Sequence, residues 1–155
     1  MLKALRRKSF RANHATFAIV ASQYNARYVD AMFRAAMSEL KKAGAKSVQV
    51  IRVPGAYEIP VVAARLAREG SVSAIVCLGV ILRGETAHAS HISEAVSQAL
   101  MQIQLRYEVP VIHEVLLLDN KEQARVRCLG RKHNRGAEAA QTALAMAQVM
   151  EKLQA

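Results

Sequence analysis

Short apolar runs and longer amphipathic stretches alternate along this chain. Residues 16–21, 47–53, 74–82 and 109–118 are strand-sized and rich in β-branched residues, and their apolarity on both faces predicts a sheet covered on both sides. Between them the spacing becomes helical. Over residues 27–43, Val29, Met32, Phe33, Ala36, Met37 and Leu40 recur every three or four positions, and Gly44 follows as a stop. Residues 60–69 open on Pro60, which suits a first helical turn, and close at Gly70. Residues 88–107 and 136–153 give longer helices of the same type, with a short one over 120–128. The order β-α-β-α-β-α-β-α-α predicts parallel strands joined by right-handed crossovers, that is, a three-layer αβα sandwich on a four-stranded parallel sheet. In open α/β sheets ligands bind beyond the carboxyl ends of the strands. The loops at residues 22–25, 54–58 and 83–88 and the segment around Asp119 are therefore where chemistry is expected.

Composition narrows the picture. A chain of 155 residues with 52% hydrophobic content fits one folded domain, and no apolar run approaches the roughly 18 residues of a membrane span. Net charge is +10, and Lys3, Arg6, Arg7, Lys8 and Arg11 all precede Thr16 with no acidic residue among them. The chain divides on this reading into a basic arm, residues 1–15, and a single domain, residues 16–155. A solvated tail is the plain reading of the arm and a nucleic-acid contact the alternative. Aromatic content of 5% and the lack of Trp argue against nucleic acid as the partner. No apolar segment follows the charges, so a secretory signal is not expected. Cys77 and Cys128 lack metal-ligand spacing and make no disulfide framework, which sets a reducing cytoplasm as the expected location.

The loop after the third strand carries the most chemistry. Gly84-Glu85-Thr86-Ala87-His88 leads from a buried strand into a helix, whose free N–H groups and positive dipole end form an anion site. Gly84 admits a phosphate close to the backbone, and Thr86 either adds a hydroxyl or caps the helix. No Gly-x-x-x-x-Gly-Lys pattern is present, which disfavours nucleotide triphosphates. His88, in the first turn, suits a proton shuttle, the alternative being a surface histidine without a task. His91 stands near it, but no third ligand has metal spacing, and no metal site is expected.

The second loop, Val53-Pro54-Gly55-Ala56-Tyr57-Glu58-Ile59-Pro60, is a rigid turn around one carboxylate. Its backbone groups and Glu58 suit hydrogen bonds to a flat heterocycle or a polyol, or Glu58 serves only the following helix. In the first loop Tyr24 offers a stacking ring and Asn25 a helix cap. Arg127, followed by Arg131, Lys132, His133 and Arg135, offers guanidinium groups for phosphate.

Four motifs in this order carry a family resemblance. Phe17-Ala18-Ile19-Val20-Ala21-Ser22-Gln23-Tyr24-Asn25, the Val53 to Pro60 turn, Cys77-Leu78-Gly79-Val80-Ile81-Leu82-Arg83-Gly84-Glu85-Thr86-Ala87-His88 and Gly136-Ala137-Glu138-Ala139-Ala140 together resemble the 6,7-dimethyl-8-ribityllumazine synthases of riboflavin biosynthesis. The resemblance implies a flavodoxin-like fold. It also implies a cofactor-independent condensation of 5-amino-6-(D-ribitylamino)uracil with 3,4-dihydroxy-2-butanone 4-phosphate, releasing phosphate and water. By similarity Tyr24 stacks on the pyrimidine, and Asn25, Ala56, Tyr57, Glu58, Val80, Ile81 and Leu82 surround the pyrimidine and ribityl chain. Gly84, Glu85, Thr86 and Arg127 hold the phosphate, and His88 matches the proton-transfer histidine.

Several positions depart from the family pattern. His113 stands where Phe is usual, at a position that packs on the substrate ring from a neighbouring subunit. Glu85 replaces a commonly small residue, and its charge repels phosphate unless it faces solvent. Ala89-Ser90-His91 replaces an aromatic and an acidic residue. Whether Lys132 or Arg135 meets the substrate is open. The family's active sites lie between subunits of a pentamer, with decamers and hollow icosahedral shells as further assemblies and riboflavin synthase as an expected partner. A diverged lumazine- or flavin-binding shell protein without turnover is the alternative that His113 and Glu85 motivate.

Overall fold

A computed structural model describes residues 10–154. Its four strands, β1 (Thr16–Ser22), β2 (Ser47–Val53), β3 (Ala74–Leu82) and β4 (Val111–Leu118), form one sheet in the order β2-β1-β3-β4. Every pairing is parallel, with Phe17 opposite Val48 and Ala74, and Cys77 opposite His113. Five helices complete it: α1 (Ala26–Lys42), α2 (Ile59–Glu69), α3 (His88–Tyr107), α4 (Lys121–Cys128) and α5 (Arg135–Gln154), with a short 3-10 turn at Ala56–Glu58. This is the three-layer αβα sandwich that the alternation predicts, and it is consistent with the flavodoxin-like fold that the resemblance implies.

Side-chain alternation along the strands builds two cores. Phe17, Ile19 and Ala21 of β1 join Val76 and Leu78 of β3 under α1 and α5. Ala18 and Val20 join Ile75 and Cys77 under α2 and α3, where Val96 and Leu100 close the layer. Each fully buried large apolar side chain contributes about 1.5–3 kcal/mol, and the two central strands supply six of the twelve largest, Phe17, Ile19, Val20, Ile75, Val76 and Leu78, with the helices supplying the rest. The α1/α5 layer is close-packed through small residues, Ala36 on one side and Gly136, Ala139, Ala140 and Ala143 on the other.

The edges differ from expectation. β2 buries only Val53 and leaves Val50 39% exposed, because it is an edge strand that no helix of the same chain fully covers. β4 begins at Val111 rather than at residue 109, because Glu108 takes a left-handed conformation (φ 53°) and Pro110 has no N–H to give the ladder. Of the expected basic arm, Lys3, Arg6, Arg7 and Lys8 lie outside the described residues. Ala12 is buried and donates its N–H to the Ala43 carbonyl at 2.7 Å, which joins the start of the described chain to the end of α1.

Candidate active site

The parallel strands deliver their carboxyl ends to one edge of the sheet, and the first two loops interlock there. Gln23 and Tyr24 donate their backbone N–H groups to the Pro54 carbonyl at 3.1 and 3.0 Å. The Tyr24 ring lies against the main chain of Gly55, so close that a side chain at 55 would meet it at 2.9 Å. Glu58 folds back and accepts the Gly55 N–H at Oε2, 2.9 Å away, which holds the turn shut. Tyr24 and Tyr57 remain 68% and 64% exposed, two aromatic faces available to a flat ring.

Asn25 does not cap α1 with its side chain. It occupies the cap position with φ 58°, and its Nδ2 instead donates to the Val80 carbonyl at 2.7 Å. The sequence correctly marks a polar residue at a helix start, but the left-handed backbone aims the amide across to β3. Tyr24, Asn25, Gly55, Ala56, Glu58 and Val80 are thus brought together, with Ile81 and Leu82 half-buried at the end of β3.

The third loop is exposed from Arg83 through His88. Ala87 stands at the cap position of α3 and no side chain caps the helix in the usual way; Thr86 Oγ1 only accepts a long 3.4 Å bond from the His88 N–H. Beyond that long bond the first turn of α3 has no side-chain cap, an arrangement suited to an anion. Glu85 is exposed. Arg83 ties the loop down by donating from Nε to Asp119 Oδ1 at 2.9 Å and from Nη1 to Ser90 Oγ at 2.9 Å. The bond from Arg83 holds the Asp119 carboxyl below its ordinary range, with Gln123 adding to the effect.

On the far side of β4 the charges are already paired. Glu114 is buried in the strand, and burial pushes its carboxyl up while Arg135 pulls it back. Arg135 donates from Nε to Glu114 Oε1 at 2.7 Å and from Nη1 to Glu138 Oε2 at 2.9 Å. Its fork is committed within the chain, whereas Arg127, Arg131, Lys132 and His133 are exposed. Asn134 fixes the connection by donating to the Cys128 carbonyl at 2.6 Å and accepting from the Gly136 N–H at 2.8 Å.

His113 lies apart from these loops. It faces α3, and Val115 donates its N–H to Nδ1 at 3.2 Å. The lone pair is therefore on Nδ1 and the proton on Nε2, which donates to Ser97 Oγ at 2.7 Å, while the Ser97 hydroxyl donates to the Ser93 carbonyl at 2.8 Å. Partial burial of the ring against α3 also lowers the pKa of this otherwise exposed residue, in keeping with a neutral ring. His113 pairs in register with Cys77, three rungs and about 10 Å before the Val80 rung. One chain thus does not bring His113 to His88.

Ser97, Glu114 and Gln123 were not singled out by sequence. Only Glu114 carried a usable signal, a charge inside an otherwise apolar strand. A groove of about 650 Å³ lined by His14, Phe17, Val72, Tyr107, Leu144 and Ala147 lies at the opposite end of the strands, away from the loops. Among the described residues no three His, Cys, Asp or Glu side chains converge as a metal set, and no helix is long and apolar enough to cross a membrane.

Residues 14–151 match the family model described as 6,7-dimethyl-8-ribityllumazine synthase. The chain is 42% identical over 141 residues to the 6,7-dimethyl-8-ribityllumazine synthase of Xanthomonas oryzae pv. oryzae (strain PXO99A), covering 90% of this chain and 92% of that one. It is 41% identical over 145 residues to the protein of the same name from Xanthomonas euvesicatoria pv. vesicatoria (strain 85-10), covering 92% and 94%. With that from Stenotrophomonas maltophilia (strain R551-3) it shares 42% identity over 141 residues, covering 90% and 91%.

Proposed function

The chain belongs to the 6,7-dimethyl-8-ribityllumazine synthase family, and from that membership we infer how its own residues carry out this step of riboflavin biosynthesis. The pyrimidine stacks on Tyr24 beside the Gly55 turn, with Tyr57 and the end of β3 around it. Glu58 keeps one carboxylate oxygen for the turn and offers the other to the ribityl hydroxyls. The phosphate of the butanone sits on the N–H groups at the start of α3, near Gly84 and Thr86, with Arg127 completing the charge.

The chemistry is a sequence of proton movements. The pyrimidine amine attacks the ketone and expels one water to give a Schiff base, phosphate is eliminated, and ring closure by the ribityl-bearing amine with loss of a second water gives the lumazine. His88, in the first turn of α3 beside the anion site, is placed to shuttle those protons. Because both substrates already carry their reactivity, holding them in register contributes more than any one side chain.

The observation that carries this reading is the convergence of the interlocked Tyr24 and Gly55 loops with the uncapped start of α3 on one edge of the sheet. His113, remote from His88 in its own chain, serves the site of a neighbouring subunit. Exposed Val50, Val61, Met101 and Leu105 supply apolar surface for such an assembly, with a pentamer as its unit. Lys132 rather than Arg135 meets the substrate, because Arg135 is committed to Glu114 and Glu138. The reading places the protein in the reducing cytoplasm, which its two buried free thiols suit, and makes riboflavin synthase the consumer of its product.

The test is product formation. The purified protein is mixed with both substrates and the lumazine followed by absorbance and fluorescence, with His88→Ala and Arg127→Ala alongside. His88→Ala lowers kcat with substrate binding largely intact, and Arg127→Ala weakens the phosphate substrate. Binding of the pyrimidine with no product above the spontaneous background would instead mark a diverged binding protein. Light scattering on the same sample reads the assembly.

A further inference from the structure

Arg83 leaves the carboxyl end of β3 and reaches two elements at once. Its Nε meets Asp119 at the exit of β4 and its Nη1 meets Ser90 in the first turn of α3, both at 2.9 Å. Its backbone N–H donates to the Leu118 carbonyl at 2.8 Å, so the residue is fixed at main chain and tip alike. Asp119 is fixed in turn by Gln123. The Asp119 N–H donates to Gln123 Oε1 at 3.0 Å and Oδ2 accepts from Gln123 Nε2 at 3.2 Å. Asn120 then accepts the Gln123 N–H at 2.9 Å, which caps α4. A continuous polar brace therefore runs from α4 across the end of the sheet to α3.

That brace supplies what the third loop lacks. Gly84, Glu85 and Thr86 are exposed, and Thr86 makes only the long 3.4 Å bond to the His88 N–H. We propose that Arg83 is a positioning residue for the phosphate-bearing substrate, setting the first turn of α3 through Ser90 and Asp119. The inference rests on the assignment of that turn to the phosphate and to proton transfer given above. A guanidinium is needed because its two donors, Nε and Nη1, stand on separate nitrogens held in one plane, whereas the donors of an ammonium share a single nitrogen. The brace touches none of Tyr24, Gly55 and Glu58, so the pyrimidine half of the site is independent of it.

The experiment measures kcat, the KM of each substrate, inhibition by inorganic phosphate and Tm for the wild type and for Arg83→Gln, Arg83→Lys, Ser90→Ala, the Arg83→Gln/Ser90→Ala double variant and His88→Ala. Arg83→Gln raises the KM of the ketone phosphate and the Ki of inorganic phosphate roughly tenfold, the scale of one lost charge-assisted hydrogen bond. The pyrimidine KM stays within about twofold and Tm within about 2 °C, as for a surface substitution. Arg83→Lys does not restore the phosphate KM. Ser90→Ala moves it in the same direction by less and adds nothing to Arg83→Gln, since both break one brace. An unmoved phosphate KM in Arg83→Gln, an equal rise in both KM values, or additive effects in the double variant would overturn the proposal. Wild-type turnover in His88→Ala would instead remove the role given to His88, while the selective KM shift still decides the brace.

Discussion

A methyl group on Gly55 would stand 2.9 Å from Cδ2 and 3.0 Å from Cε2 of Tyr24, because the tyrosine ring rests on bare main chain. It would also stand 3.0 Å from Glu58 Oε2, the oxygen that holds the turn. The three residues come from two loops, so the stacking face of the site is set by the absence of a side chain at 55.

Gly55→Ala is therefore expected to turn the Tyr24 ring aside while the fold survives, since the ring is exposed and free to rotate. The pyrimidine KM rises roughly threefold to tenfold, the range of one aromatic stacking contact, with the phosphate KM unchanged. Steady-state kinetics with each substrate varied in turn, beside a thermal melt, check this.

His113 couples stability to pH. Burial, the leading cause, lowers its pKa below the ordinary 6.5, with its backbone hydrogen bond acting against that. The folded state therefore binds the proton less readily than the unfolded chain. The stabilisation from the neutral ring is present above pH 6.5 and is lost as pH falls through the lower folded value. His113→Phe, which does not titrate, should flatten this acid-side fall of Tm. Melts of both proteins between about pH 7 and pH 5, spanning the ordinary histidine pKa, read the difference, and parallel curves would refute it.

Gly136 is a harsher position than Gly55. A side chain there would overlap the backbone of Met32 at its carbonyl, carbonyl carbon and Cα, where α5 crosses α1. Gly136→Ala should cost about 3 kcal/mol or more, the upper range for overpacking, and lower Tm by about 6–12 °C. Chemical denaturation measures it. A stability within about 0.5 kcal/mol of wild type, the usual range for surface changes, would show that the helices part without cost.

Much of the fold was legible in the sequence because its two periodicities are strong. Ala18 and Val20 face one layer and Phe17 and Ile19 the other, so the apolar run of β1 announces a central strand. The start of β4 is not legible in the sequence, because Val109 looks like strand while the left-handed Glu108 and the donorless Pro110 decide otherwise. At the site, residue types were readable but directions were not. Asn25 reads as a helix cap and does stand at the start of α1, yet its amide reaches Val80, 55 positions away in the chain, and caps nothing. Ser97 was invisible, since nothing in its neighbourhood distinguishes a serine that serves a histidine 16 residues later. Glu114 and Arg135 were each visible as charges, but their pairing depends on β4 and α5 facing one another.

The crossing of α1 and α5 bears on which second changes can rescue a first. At Gly55 the obstacle to a larger residue is a rotatable ring, and trimming Tyr24 would relieve it at the expense of binding. At Gly136 the obstacle is main chain, which every substitution at Met32 retains. No single exchange at the contact makes room, so true suppressors of a Gly136 variant must act at a distance, by letting the whole of α5 slide. In a genetic selection they would appear scattered along the seam at Ala36, Ala139, Ala140 and Ala143, and not as a partner swap at the point of overlap.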